Sequence, residues 1–139
     1  MKEAGLSPSA QTLGLSDNTF FNGLKSIEMA LEQKHPFTAV LAGNDDIAHG
    51  VWEGLLKAGL DVPRDVSLIG FDDQHGLGRL QSLTSVRVEA TEVGRQLAKM
   101  AIEKIRFKGR RIPEVLLPTT LVKRETCRPL FPVDQQGRK

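Results

Sequence analysis

The sequence predicts an α/β fold of three layers, an open and mainly parallel sheet flanked by helices. Three observations carry that reading. Residues 38–42 and 66–71 are short apolar runs that break abruptly into Gly, Asn and Asp, as strands buried on both faces do. Segments of helical periodicity alternate with these runs, which is the order of β-α units. The polar residues Asn44, Asp45, Asp72 and Asp73 gather where the runs end. Open parallel sheets bind ligands at that edge, beyond the carboxyl ends of their strands.

The elements follow in order. A first strand is expected at residues 11–13. Over residues 16–34, Phe20, Leu24, Ile27 and Leu31 recur at helical spacing, with Asp17 or Asn18 as cap and Pro36 as stop. A strand at 37–42 leads into a helix over 45–58. Ile47, Val51 and Leu55 form one ridge of that helix, Ala48, Trp52 and Leu56 the next, and Gly59 ends it. Residues 61–65 are a polar, proline-bearing connection into a strand at 66–71. Residues 76–82 form a glycine-containing loop with room for a short helix, followed by a strand at 85–88. Val93, Leu97, Ala101 and Ile105 mark a third helix over 91–108, with Thr91 as cap and Glu92 in its first turn. The last strand is expected at 121–123. Residues 129–139, with two prolines and no apolar period, read as a disordered tail.

Length and composition narrow the class. A chain of 139 residues accommodates one domain with a real core and is too short for two ordinary ones. Apolar residues make up 40% and charged residues 26%, and no window approaches the roughly 18 apolar residues of a membrane span. Without a basic-then-apolar leader the expected compartment is the cytoplasm, and no membrane partner is expected. The lone Cys127 excludes an internal disulfide framework and reads as an edge thiol. The basic cluster Lys104, Arg106, Lys108, Arg110 and Arg111 fits the C-terminal end of a helix, where cations face the negative end of the dipole and Gly109 closes the turn. Phosphate-loop, dinucleotide-binding, nucleophile-elbow and zinc-protease motifs are all missing, so no enzyme, cofactor or catalytic residue is expected. His75 beside Asp72 and Asp73 is too sparse a set for a metal site.

Four motifs in sequence carry a resemblance. They are Asn44-Asp45-Asp46-Ile47-Ala48-His49-Gly50, Gly59-Leu60-Asp61-Val62-Pro63-Arg64-Asp65-Val66-Ser67-Leu68-Ile69-Gly70-Phe71-Asp72-Asp73, Leu83-Thr84-Ser85-Val86-Arg87, and Leu117-Pro118-Thr119-Thr120-Leu121-Val122-Lys123-Arg124-Glu125. Together they resemble the effector-binding domain of LacI/GalR-type bacterial transcription regulators, a periplasmic-binding-protein-like (type I) fold. The resemblance implies a truncated effector-binding domain over residues 1–128. Residues 1–83 and 116–128 would form the C-terminal subdomain. Residues 84–115 would be a crossover segment that packs on an N-terminal subdomain outside this chain. With that subdomain absent, the ridge of the third helix is expected either to fold back on its own chain or to be buried by a second copy.

It also implies a function: sensing a small-molecule effector, a sugar or other small metabolite, between two subdomains, and coupling it to DNA through a helix-turn-helix that this chain lacks. Asn44, Asp72 and Asn18 fall at effector-contacting positions. Asn44 has a second reading as the cap of the following helix, and Asp73 is expected to bond nearby backbone, with Phe71 in the core. Asn18 stands where many relatives carry a stacking aromatic, and Val88 where sugar-binding relatives often carry Gln. His49, Trp52, Leu77 and Leu80 are the candidate homodimer interface, although a buried Trp is equally a core residue. The alternatives are a periplasmic sugar-binding protein of the same fold, which would need a signal peptide, and a small α/β hydrolase, which rests on fold type alone.

Overall fold

A computed structural model describes residues 17–34, 36–74, 78–109 and 111–129. The strand expected at 11–13, Leu77, His75 and all of the tail but its first residue lie outside these. Among the described residues there are three α-helices, α1 (Phe20–Glu32), α2 (Asp45–Lys57) and α3 (Ala90–Arg106), a 3-10 helix (Gly78–Ser82), and four strands, β1 (Ala39–Leu41), β2 (Ser67–Asp72), β3 (Thr84–Arg87) and β4 (Thr120–Val122). The strands form one sheet in the order β1-β2-β3-β4. β1, β2 and β3 run parallel and β4 returns antiparallel to β3. The result is an open, mostly parallel sheet flanked by helices, as the sequence predicts.

Local chemistry sets the helix starts. The Thr19 hydroxyl caps α1, accepting the Asn22 N–H at 3.4 Å. Asp17 and Asn18, the expected caps, instead use their main-chain carbonyls, toward Asn22 Nδ2 at 2.7 Å and Asn44 Nδ2 at 3.2 Å. α2 is capped by Asn44 and carries Asp45 and Asp46 in its first turn, where acids favour the positive end of the dipole. α3 starts at Ala90 after Glu89, with no side-chain cap bond, so Thr91 lies inside the helix rather than capping it.

The core joins α1 and α2 to the sheet: Ile27, Ala30, Val51, Trp52, Leu55, Val66, Leu68 and Leu83 are buried together. α1 and α2 cross closely because both carry glycine at the crossing. A Cβ on Gly50 would fall well inside contact distance of the Phe20 carbonyl oxygen. Alongside β2, at the start of β3, Thr126 is buried; its hydroxyl donates to the Leu68 carbonyl at 2.6 Å and accepts the Thr84 N–H at 2.9 Å. Thr126 thus ties the last segment to β2 and β3. Cys127 beside it is half-buried, its Sγ at 3.4 Å from the Leu68 carbonyl, in keeping with an edge thiol.

Three expectations are corrected. Phe71, read as core, is 36% exposed at the end of β2. Thr84–Arg87, assigned to the crossover segment, is hydrogen-bonded into the sheet between β2 and β4. The segment that leaves the sheet therefore begins after Arg87. Of the two outcomes expected for α3, burial on its own chain is the one corrected: none of its residues is buried, and Leu97 and Ile105 are 61% and 73% exposed. Its apolar ridge is as the sequence spaces it; Val93 is half-buried near Val88, Leu117 and Pro118, while Leu97, Ala101 and Ile105 are exposed.

Candidate functional site

The polar residues converge at the C-terminal edge of the parallel strands. Asn44, between β1 and α2, accepts the Ile47 N–H on Oδ1 at 2.8 Å and donates from Nδ2 to the Asn18 carbonyl at 3.2 Å. The capping reading of Asn44 is thus realised. A primary amide has a second N–H and a second oxygen lone pair, so capping leaves it able to meet a ligand hydroxyl as well. Asn18 joins Asn44 through its main chain and is exposed. The two residues, 26 apart in sequence, are brought together directly.

Asp72 closes β2 on the neighbouring strand. It is half-buried, and its carboxylate has no hydrogen-bond partner among the described residues. Its φ is 94° and that of Asp73 is 53°. Two successive non-glycine residues in this region cost about 1–3 kcal/mol each and persist only where the surroundings fix them. Asp tolerates such backbone better than most residues.

Asp73 is buried and paired twice. Arg87 Nε donates to it at 2.7 Å and Arg124 at 2.6 Å, and the same Arg124 nitrogen reaches the Leu83 carbonyl at 2.6 Å. The Arg124 guanidinium, with Arg87 beside it, holds the Asp73 carboxyl below the usual carboxylate range against the opposing effect of burial. The expectation that Asp73 bonds nearby backbone therefore misses its main partners. The signal lay in Arg87 and Arg124, both inside the quoted motifs.

Asp45 is the residue whose role the sequence reading left unassigned. Buried at the first position of α2, it accepts the Ser85 hydroxyl on Oδ1 at 2.7 Å and the Gln74 N–H on Oδ2 at 2.7 Å. Burial pushes its pKa up, while the bonds from Ser85 and Gln74 pull the other way. Gly70 makes room for it, since a Cβ there would collide with Asp45 Oδ1.

Of the four candidate interface residues, the three that are described, His49, Trp52 and Leu80, do not form one exposed patch. Trp52 is 7% exposed and belongs to the core, the second of the two readings its sequence position allows. Leu80 is half-buried and packs against that core. His49 is exposed on α2, its ring 5.0 Å from that of Phe20 in an edge contact. Among the described residues no three His, Cys, Asp or Glu side chains are grouped to hold a metal, and no helix is long and apolar enough to cross a membrane.

With this geometry in hand, comparison with known proteins is decisive: the family model for the periplasmic binding protein-like domain matches residues 1–127. The chain belongs to that family. Within the periplasmic binding protein-like family its relatives are LacI-type regulators, as the four motifs imply. Over 122 residues it is 31% identical to the HTH-type transcriptional repressor MelR of Bacillus subtilis, covering 86% of this chain and 35% of the repressor. A LacI transcriptional regulator from a Rhodococcus species superposes with a TM-score of 0.71 at 32% identity, over 81% of this chain and 41% of the regulator. The transcriptional regulator CelR in complex with cellobiose gives a TM-score of 0.80 at 25% identity, over 90% of this chain and 38% of CelR. This chain thus spans about a third of the length of MelR, with 35% covered. The named relatives are regulators of transcription, not enzymes.

Proposed function

We propose that this chain is the effector-sensing part of a LacI-type transcription regulator. A small sugar or related metabolite binds at the C-terminal edge of β1 and β2, against Asn44, Asp72 and Asn18, with a second subdomain closing over it. Closure favours one relative orientation of the subdomains, and that shift is passed to a DNA-binding head carried outside this chain. The observation that carries this reading is the Asp72 carboxylate at the end of β2, without a hydrogen-bond partner among the described residues, on the same edge of the sheet as the Asn44 amide that follows β1, two groups suited to a polyhydroxylated ligand. The cellobiose bound by CelR supports a sugar as the ligand class, and the naming of the relatives favours a regulator over a periplasmic transport protein. The protein acts as a homodimer and in the cytoplasm, with the face of α2 that carries His49 available to a partner subunit.

Calorimetric titration of the full-length protein with mono- and disaccharides, cellobiose first, tests the proposal. One sugar is expected to bind. Asp72→Ala is expected to weaken it at least about tenfold, since a charge-assisted hydrogen bond contributes about 1.5–3 kcal/mol. Asn44→Ala is expected to weaken it less, with some loss of stability from the missing cap. Absence of binding by any sugar, or unchanged affinity in Asp72→Ala, overturns the assignment.

A further inference from the structure

The turn that carries Asp72 is held from one place. Both N–H groups that follow Asp72 lead to the same carboxylate: Gln74 N donates directly to Asp45 Oδ2 at 2.7 Å, and Asp73 N donates at 3.1 Å to the Ser85 hydroxyl, which itself donates to Asp45 Oδ1 at 2.7 Å. We propose that Asp45, through Ser85 and the Asp73 and Gln74 amides, is a positioning residue that fixes the left-handed Asp72–Asp73 turn and so presents the Asp72 carboxylate to the effector. The inference rests on the effector reading of Asp72 given above.

A helix-dipole role alone does not account for Asp45. Asp46, its exposed neighbour, occupies the same first turn, whereas both Asp45 oxygens reach away from α2 to two other segments. The chemistry also requires an acceptor on both sides. Ser85 spends its oxygen on the Asp73 N–H and its proton on Asp45, and Gln74 can only donate, so an amide at position 45 would bring an N–H group against one of two donors. Space for the carboxylate is kept by Gly70 on β2. Residues with φ of 94° and 53° need such over-determination to persist. Because Asn44 is the adjoining residue, the start of α2 supplies one proposed ligand contact and anchors the other.

Two measurements on Asp45→Asn and Ser85→Ala test this. In the chain itself, amide hydrogen exchange at Asp73 and Gln74 is expected to quicken about tenfold or more while Leu68, in the centre of the sheet, keeps its protection. Unchanged protection at Asp73 and Gln74, or its loss together with that of Leu68, overturns the positioning role. Ser85→Ala leaves the first turn of α2 intact and guards against a folding defect peculiar to position 45. In the full-length protein, Asp45→Asn is expected to weaken effector binding about tenfold, and to add nothing in an Asp72→Ala background, since it acts through Asp72. Additive losses, or wild-type affinity in Asp45→Asn where Asp72→Ala loses it, sink the inference. If Asp72→Ala itself binds normally, the effector assignment fails, and the exchange data still decide whether Asp45 fixes the turn.

Discussion

At the scale of single residues, Asp73 and Asp45 sit side by side and respond to acid in opposite senses. The Asp73 pKa is lower in the folded chain than its ordinary 3.8, so its contribution is complete above that value and is lost as pH falls through the folded pKa. The Asp45 pKa is raised, so its contribution is complete below its ordinary value and declines as pH rises through the folded pKa. Asp73 has the two arginines, and its loss dominates below about pH 4. Removing one member of a buried pair costs about 3–5 kcal/mol, which we reduce to about 2–3 because Arg87 and Arg124 are 37% and 21% exposed. Asp73→Asn is therefore expected to melt markedly lower than wild type at pH 7, and the gap should narrow at pH 3. Equal melting temperatures at pH 7 would show that the pair contributes nothing. The sequence marked these carboxylates as belonging to one edge. It did not assign their partners, because Arg124 lies 51 residues from Asp73 and meets it only once β4 has returned.

At the scale of elements, periodicity located α1, α2 and α3 and the parallel strands β1 and β2, but β1 is not the strand buried on both faces that its apolar run predicts, since Leu41 is 74% exposed. What it missed were the ends. Thr19, the residue immediately before Phe20, is the cap in place of Asp17 and Asn18, because the helix begins later than those caps require, and α3 dispensed with a side-chain cap altogether. The crossing of α1 and α2 was also not spaced into the apolar pattern, since the residues that set its distance have no side chain. Gly50→Ala is expected to destabilise the chain by about 2–3 kcal/mol or more, because the new methyl meets a main-chain carbonyl that cannot yield, against a helix-propensity gain of about 1 kcal/mol. Gly94→Ala, on α3 with open space around it, is expected to stabilise by about 0.5–1 kcal/mol. Urea denaturation of the two variants checks both, and equal shifts would contradict the close crossing.

At the scale of the whole molecule, the fold class and the motif order were legible, while the fate of the apolar face of α3 was not. A hydrophobic period states that a surface is to be covered; it does not say by what. Leu97 and Ile105 remain exposed on the apolar ridge of α3, a face of the kind that soluble monomers rarely show. The isolated chain is thus expected to bind a hydrophobic dye and to associate as its concentration rises, and Leu97→Glu with Ile105→Glu to abolish both. Sedimentation velocity showing a dye-silent monomer for the wild type would contradict this. The buried Thr126 clasp carries a different consequence, for biosynthesis. Its hydroxyl meets Thr84 and Leu68 across 42 and 58 residues. At about 5–20 residues per second a ribosome takes roughly 2–8 seconds to cover the stretch from Thr84 to Thr126. For those seconds β3 has an open edge, and the Thr84 N–H and the Leu68 N–H and carbonyl lack the partner they find in Thr126, which makes the nascent sheet a natural client for a chaperone until its last segment arrives.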